Sequence, residues 1–136
     1  RRQHKRNPQN PGDPRIAAFA KSSPADWCYL AEGALNLTCK YSGPEPVLMG
    51  SVLRLRKYNP DATGGARQAN PWPDSLRFIK QVMLPLLGSR YVHPGVEVRI
   101  PIGFLRKLGA HIGNARPSKR RMYELDSEVN TALICW

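Results

Sequence analysis

Acidic residues are scarce in this 136-residue chain: ten Asp and Glu stand against 21 Lys and Arg, giving a formal net charge of +11 and a pI near 10.1. Such a balance points to a phosphate-rich partner and away from a cationic one. Cysteine is scarce as well. Cys28, Cys39 and Cys135 are odd in number and lack metal-ligand spacing, which argues against a secreted disulfide framework and against a zinc site. They read as reduced thiols of an intracellular protein, filling strand positions as small apolar residues. Cys28 and Cys39 lie almost symmetrically about a tight corner, where their side chains could face each other. No apolar run reaches membrane-spanning length, since the longest, Val82 to Leu87, holds Pro85. No membrane partner is expected. There is no internal repeat, and the usual three-glycine phosphate loop is missing. His4, His93 and His111 are isolated and read as loop or surface residues, so no metal site is expected.

What is present is unevenly placed. Arg1 to Lys21 holds six cations against Asp13 alone, and Arg99 to Arg121 holds seven with no acid. Residues 1–25 carry Pro8, Pro11, Pro14 and Pro24 with little apolar content, and read as a basic, proline-rich, disordered tail. Residues 26–136 read as one folded domain.

Asp26 to Lys57 organises that domain. A run Trp27 to Ala31 meets the corner Glu32-Gly33-Ala34, a second run covers Asn36 to Tyr41, and after the turn formers Ser42 to Pro46 a third covers Val47 to Arg56. Alternation places Ser51, Leu53 and Leu55 on one face of the third strand and Val52, Arg54 and Arg56 on the other. After a loop over 58–73, Asp74 offers an N-cap to a helix with apolar positions Leu76, Ile79, Val82, Met83, Leu86 and Leu87. Pro85 should distort its last turn, and Gly88 should stop it. Gly95 to Ile100 alternates as a strand, and Pro101 opens a second helix with the stripe Ile102, Leu105, Leu108 and Ile112. Asn114 to Arg121 is a basic loop, and Thr131 to Trp136 a final strand. The order predicts an α+β fold: an antiparallel sheet of about five strands with two packed helices.

A glycine-bearing hairpin followed by a strand with a central cation is the layout of a kinase amino-terminal lobe, where the hairpin covers a nucleotide's phosphates and the cation reaches the inner ones. Residues along the chain carry a closer resemblance. Asp26-Trp27-x-Tyr29, Glu32-Gly33-Ala34-x-Asn36-Leu37 and Gly50-x-Val52-Leu53-Arg54-Leu55-x-Lys57 resemble the start of the inositol-pentakisphosphate 2-kinases. Val82-x-x-Pro85-Leu86-Leu87-Gly88, Tyr91-Val92-x-x-Gly95-Val96, Phe104-Leu105, Arg116-Pro117 and Ala132-Leu133-Ile134 follow in that family's order.

The resemblance implies an amino-terminal lobe of an enzyme that moves the γ-phosphate of ATP, with magnesium, to the 2-hydroxyl of inositol pentakisphosphate, giving inositol hexakisphosphate. It makes Gly33, Ala34 and Asn36 the phosphate-covering loop and Arg54 the phosphate cation. It assigns Arg116 and Arg120 to the inositol phosphate, with Lys119 where an aromatic residue can occur. Ala31 replaces a glycine usual in the family. The helix has no acid after Asp74, so the lysine–glutamate pair of protein kinases cannot form from its body. The catalytic base and the magnesium carboxylates are expected in a carboxy-terminal lobe absent from this chain, whose hinge would begin at Trp136.

The residues also permit a second reading. A lone basic lobe could serve as a structural component of a large assembly such as a ribosome, its tail and Arg116 to Arg121 gripping RNA phosphates or protein, without a cofactor. The kinase reading implies nucleus or cytoplasm. The structural reading, with no Met at position 1, would allow an organelle.

Overall fold

The computed structural model describes residues 12–60, 71–90 and 92–136. Residues 1–11 of the expected tail, with His4, the loop interior 61–70, and Tyr91 lie outside the described residues.

Strands β1, Trp27–Glu32, and β2, Asn36–Tyr41, form the predicted hairpin. Strand β3, Val52–Tyr58, pairs with β2 and alternates as read: Leu53, Leu55 and Lys57 are buried, while Val52, Arg54 and Arg56 are half-buried. It starts later than expected. Pro46–Leu48 is instead a turn of 3-10 helix, because proline's fixed φ suits a helix start, and the N–H of Ser51 then donates to the Leu48 carbonyl at 2.9 Å.

Strand β4 is Val96–Arg99, β5 is Glu124–Leu125 and β6 is Thr131–Cys135. The sheet runs β1-β2-β3-β6-β4 with antiparallel pairing throughout, and β5 lies along the far end of β3, opposite Lys57 and Tyr58. Six strands thus stand where about five were expected, because two residues of β5 carry no readable alternation. Gly95 leads into β4 at φ +79°, and a side chain there would meet the Ile134 carbonyl at 2.7 Å and the Cys135 sulfur at 2.9 Å. Only glycine fits both constraints.

The helices are α1, Pro14–Lys21, α2, Trp72–Phe78, α3, Leu84–Leu87, and α4, Phe104–Ile112. A π turn, Ile79–Met83, joins α2 and α3 into one helix. Helix α1 corrects, over residues 14–21, the reading of a disordered tail. Pro14 sits at the first helical position, where a missing N–H costs nothing, and the Asp13 carboxylate accepts from the Arg15 N–H at 2.9 Å. Its Phe19 is fully buried, with ring centroids 5.9 Å from Trp27 and 5.3 Å from Phe104. The Trp27 indole N–H donates to Ser22 Oγ at 3.1 Å and locks the helix end to the sheet.

Two faces result. Leu37, Cys39, Leu53, Leu55, Val98 and Ile134 form a packed face covered by α1 and by Phe104, Leu108 and Ile112 of α4. The stripe of α4 is therefore shifted from the expected one, and Ile102 is fully exposed, because a turn over 101–103 precedes the helix. On the opposite face Trp72 and Leu76 of α2 pack with Leu133 of β6, and the Trp72 indole N–H donates to the Thr131 carbonyl at 2.9 Å. Helix α2 begins at Trp72, so Asp74 is not its cap; it pairs with Arg77 at 3.4 Å. Val82, Leu86 and Leu87 point to solvent, against expectation. The π turn is the reason: Pro85 cannot donate to a carbonyl four residues back, and the widened turn rotates later residues off the sheet. Gly88 ends the helix as predicted.

Candidate functional site

At the hairpin corner the N–H of Gly33 donates to the Asn36 carbonyl at 2.9 Å, leaving Ala34 and Leu35 as a two-residue tip. The N–H of Lys57 donates to the Leu35 carbonyl at 2.8 Å and ties the tip to β3. Upstream, the register slips: Tyr29 faces Cys39, but Ala31 faces Thr38, so Leu30 is an inserted residue. One inserted residue reverses the faces. Ala31 therefore joins Thr38 and Arg54 on the open side of the sheet, while Glu32 joins Leu37 and Leu55 on the packed side.

The open side carries a recess of about 490 Å³ lined by Ala31, Thr38, Arg54 and the corner residues 32–36. All four residues assigned from the sequence to nucleotide phosphates thus border one space. Arg54 is half-buried. Its guanidinium has no hydrogen bond or ion pair among the described residues. The Asn36 Oδ1 is buried without a partner among the described residues. None of the described residues lies within 4 Å of where a Gly33 side chain would begin. A free guanidinium in a concave, half-desolvated setting is suited to an anion, and can meet phosphate oxygens in a bidentate fork.

On the packed side lies a cluster that sequence reading missed. Glu32 accepts from Lys57 Nζ at 2.6 Å, and from Arg116 Nε and Nη2 at 2.9 Å each. The Glu32, Lys57 and Arg116 side chains are 1%, 0% and 9% exposed. Arg116 Nη2 also reaches the carbonyls of Arg120 at 2.9 Å and Tyr123 at 2.7 Å, and Lys57 sits 5.2 Å from the Tyr123 ring centre. Burial alone would raise the Glu32 carboxyl, but hydrogen bonds and charge from Arg116 and Lys57 outweigh it and hold the group below the ordinary carboxylate range. Burial raises Tyr29, with the Glu32 charge adding to the effect. A signal for this cluster was in the sequence: alternation puts Lys57 on the same face as Leu53 and Leu55, and a lysine there requires a carboxylate. The bulge that supplies Glu32 left no mark.

The profile of the inositol-pentakisphosphate 2-kinases matches residues 29–135. The chain belongs to that family. Its relative in Arabidopsis thaliana, inositol-pentakisphosphate 2-kinase, is 28% identical over 135 residues, covering 81% of this chain and 30% of that protein. The Oryza sativa subsp. indica protein is 30% identical over 131 residues, covering 80% and 29%. That of Danio rerio is 34% identical over 102 residues, covering 70% and 20%. The chain therefore spans less than a third of the length of these 2-kinases.

The second group of residues that the resemblance assigns is divided. Arg116 sits behind the sheet in the Glu32 cluster and does not border the recess. Lys119 and Arg120 occupy a short turn, Ser118–Arg120, with Lys119 exposed and Arg120 half-buried close enough for its charge to act on Tyr29. The lysine–glutamate pair that the helix could not supply is present in another form, with its acid on the hairpin.

The cysteines are free thiols, as expected, but Cys28 and Cys39 do not face each other. Cys28 faces Lys40 and Cys39 lies beside Tyr29, so the two point to opposite faces, and all three thiols are free. Burial pushes Cys39 up to about 12. It raises Cys135 as well, against the pull of the nearby Arg54 charge. Among the described residues no group of three His, Cys, Asp or Glu could hold a metal, and no helix is long and apolar enough to cross a membrane.

Proposed function

We propose that this chain is the nucleotide-binding amino-terminal lobe of an inositol-pentakisphosphate 2-kinase, part of an enzyme that moves the ATP γ-phosphate to the 2-hydroxyl of inositol pentakisphosphate. The observation that carries this reading is the recess itself, where Gly33, Ala34, Asn36 and an Arg54 without a hydrogen bond or ion pair among the described residues border one space. Arg54 neutralises the inner phosphates, and the hairpin tip covers them. In the transfer the inositol 2-oxygen bonds to the γ-phosphorus, the bond to the β–γ bridging oxygen breaks, ADP leaves, and the hydroxyl proton passes to a base. The lobe contributes position and charge.

The base we assign to the part of the relatives that this chain does not span. Glu32 is the acid of the recess lining, yet its carboxylate is held by Lys57 and Arg116. The described residues therefore do not fit a magnesium site, and no step here runs through the metal. Lys119 and Arg120 offer charge to the inositol phosphate. Family membership favours this reading over an RNA-binding one.

Calorimetric titration of ATP into the chain tests the nucleotide assignment. Binding should be measurable, and Arg54→Ala should weaken it by about tenfold or more, the worth of a charge-assisted contact of roughly 1.5–3 kcal/mol. Equal affinity in the two forms would remove Arg54 from the site, and no binding by the parent chain would overturn the assignment.

A further inference from the structure

We infer that Arg116 is a positioning residue that sets the loop bearing Lys119 and Arg120, and is not itself a ligand of phosphate. The inference rests on the inositol-phosphate reading above and changes one of its assignments. A guanidinium binds a phosphate or carboxylate best through a paired edge of two parallel N–H bonds. In Arg116 the edge formed by Nε and Nη2 is already closed on the Glu32 carboxylate, with both bonds at 2.9 Å. The same Nη2 also donates to the carbonyls of Arg120 and Tyr123. Turning that edge to a ligand would leave Glu32 short of a partner while almost fully buried, and would release both carbonyls.

The same bonds explain what Arg116 does instead. They fold 116–123 around the guanidinium and fasten the fold to Glu32, the residue immediately before Gly33. Arg121 closes the loop from outside, donating from Nε to the Arg116 carbonyl at 3.1 Å and from Nη2 to the Asn114 carbonyl at 3.4 Å. Lys119 and Arg120, by contrast, have no side-chain hydrogen bond among the described residues. The four cations of this segment thus divide by role: Arg116 and Arg121 shape the loop, and Lys119 and Arg120 are presented by it. Arg120 links the two roles, because its carbonyl is fixed while its side chain stays unbonded.

A double-mutant cycle on binding of inositol pentakisphosphate separates positioning from contact. In the parent chain, Arg120→Ala and Arg116→Lys should each weaken binding by about tenfold, the latter because an ammonium keeps the charge and loses the fork. If Arg116 acts through the cations its loop presents, adding Arg116→Lys to the pair Lys119→Ala and Arg120→Ala should cost nothing more. If the two losses multiply, Arg116 touches the ligand and the inference fails. ATP affinity within about twofold of the parent reports an intact lobe.

Should Arg116→Lys fail to fold, the exposed tie Arg121→Gln takes its place in the same cycle. It should weaken pentakisphosphate binding several-fold, and only while Lys119 and Arg120 are present; an unchanged affinity would overturn the shaped-loop account. A parent chain that does not bind inositol pentakisphosphate overturns the inositol-phosphate reading, whereas binding with multiplicative losses overturns this inference alone.

Discussion

Lys57 ends the apolar row of β3 with its side chain fully buried, and an ammonium there is tolerable only beside a carboxylate. Glu32 meets that need and binds Arg116 as well, so one acid holds two cations. Replacing Glu32 with Gln would leave Lys57 and Arg116 buried without their anion, and should destabilise the chain by about 3–5 kcal/mol in urea denaturation. The pH dependence follows from sign. Glu32 ionises below the ordinary value of 4.5 in the folded chain, so its contribution is complete above that value and fades as pH falls through the lower folded value. The gap in stability between parent and Glu32→Gln should be constant near neutrality and narrow below about pH 4.5; a constant gap down to pH 3 would show that the carboxylate's charge is not what matters. At this scale the sequence was half legible. Alternation places Arg54 and Leu55 correctly and, carried one residue further, would place Lys57, but the acid partner depends on a single inserted residue at Leu30. Periodicity taken one strand at a time does not register such a slip.

Elements were legible where their own pattern decides them and illegible where tertiary contacts do. The hairpin, the β3 alternation and the stop at Gly88 depend on local chemistry and were all readable. Helix α1 was not, because eight residues with modest apolar content do not make a stable helix alone. It is secured by Phe19 docking between Trp27 and Phe104. Phe19→Ala should therefore cost about 3–5 kcal/mol in chemical denaturation, as for a core aromatic; a change under about 0.5 kcal/mol would return α1 to the status of a loose tail. The entry to β4 gives a sharper case. Gly95→Ala combines a left-handed backbone with contacts at 2.7 and 2.9 Å. A loss of roughly 1–3 kcal/mol is expected from the backbone alone, with the β4–β6 amides losing exchange protection first.

At the scale of the whole chain, the proposed function gives the two faces of one sheet separate work. One face holds the Glu32 cluster and the Phe19, Trp27 and Phe104 core, and the other holds the Trp72 and Leu133 cluster together with Arg54 and the recess. A kinase-like lobe usually links its phosphate lysine to a glutamate on the packed helix, whereas here the Lys57 pair is formed within the sheet and Arg54 stands apart from it. Stability and phosphate binding should then be separable by mutation. Arg54→Ala removes a half-buried side chain that holds no hydrogen bond or ion pair among the described residues, so its unfolding free energy should stay within about 0.5 kcal/mol of the parent. Its ATP affinity should fall by about tenfold. Glu32→Gln should do the reverse at temperatures where it remains folded, losing stability while ATP binding stays within a few-fold, because its carboxylate faces away from the recess. Urea denaturation and ATP calorimetry on the same two variants read both quantities. If Arg54→Ala lost stability in proportion to affinity, the faces would not be independent, and the recess would be part of the core's own charge balance.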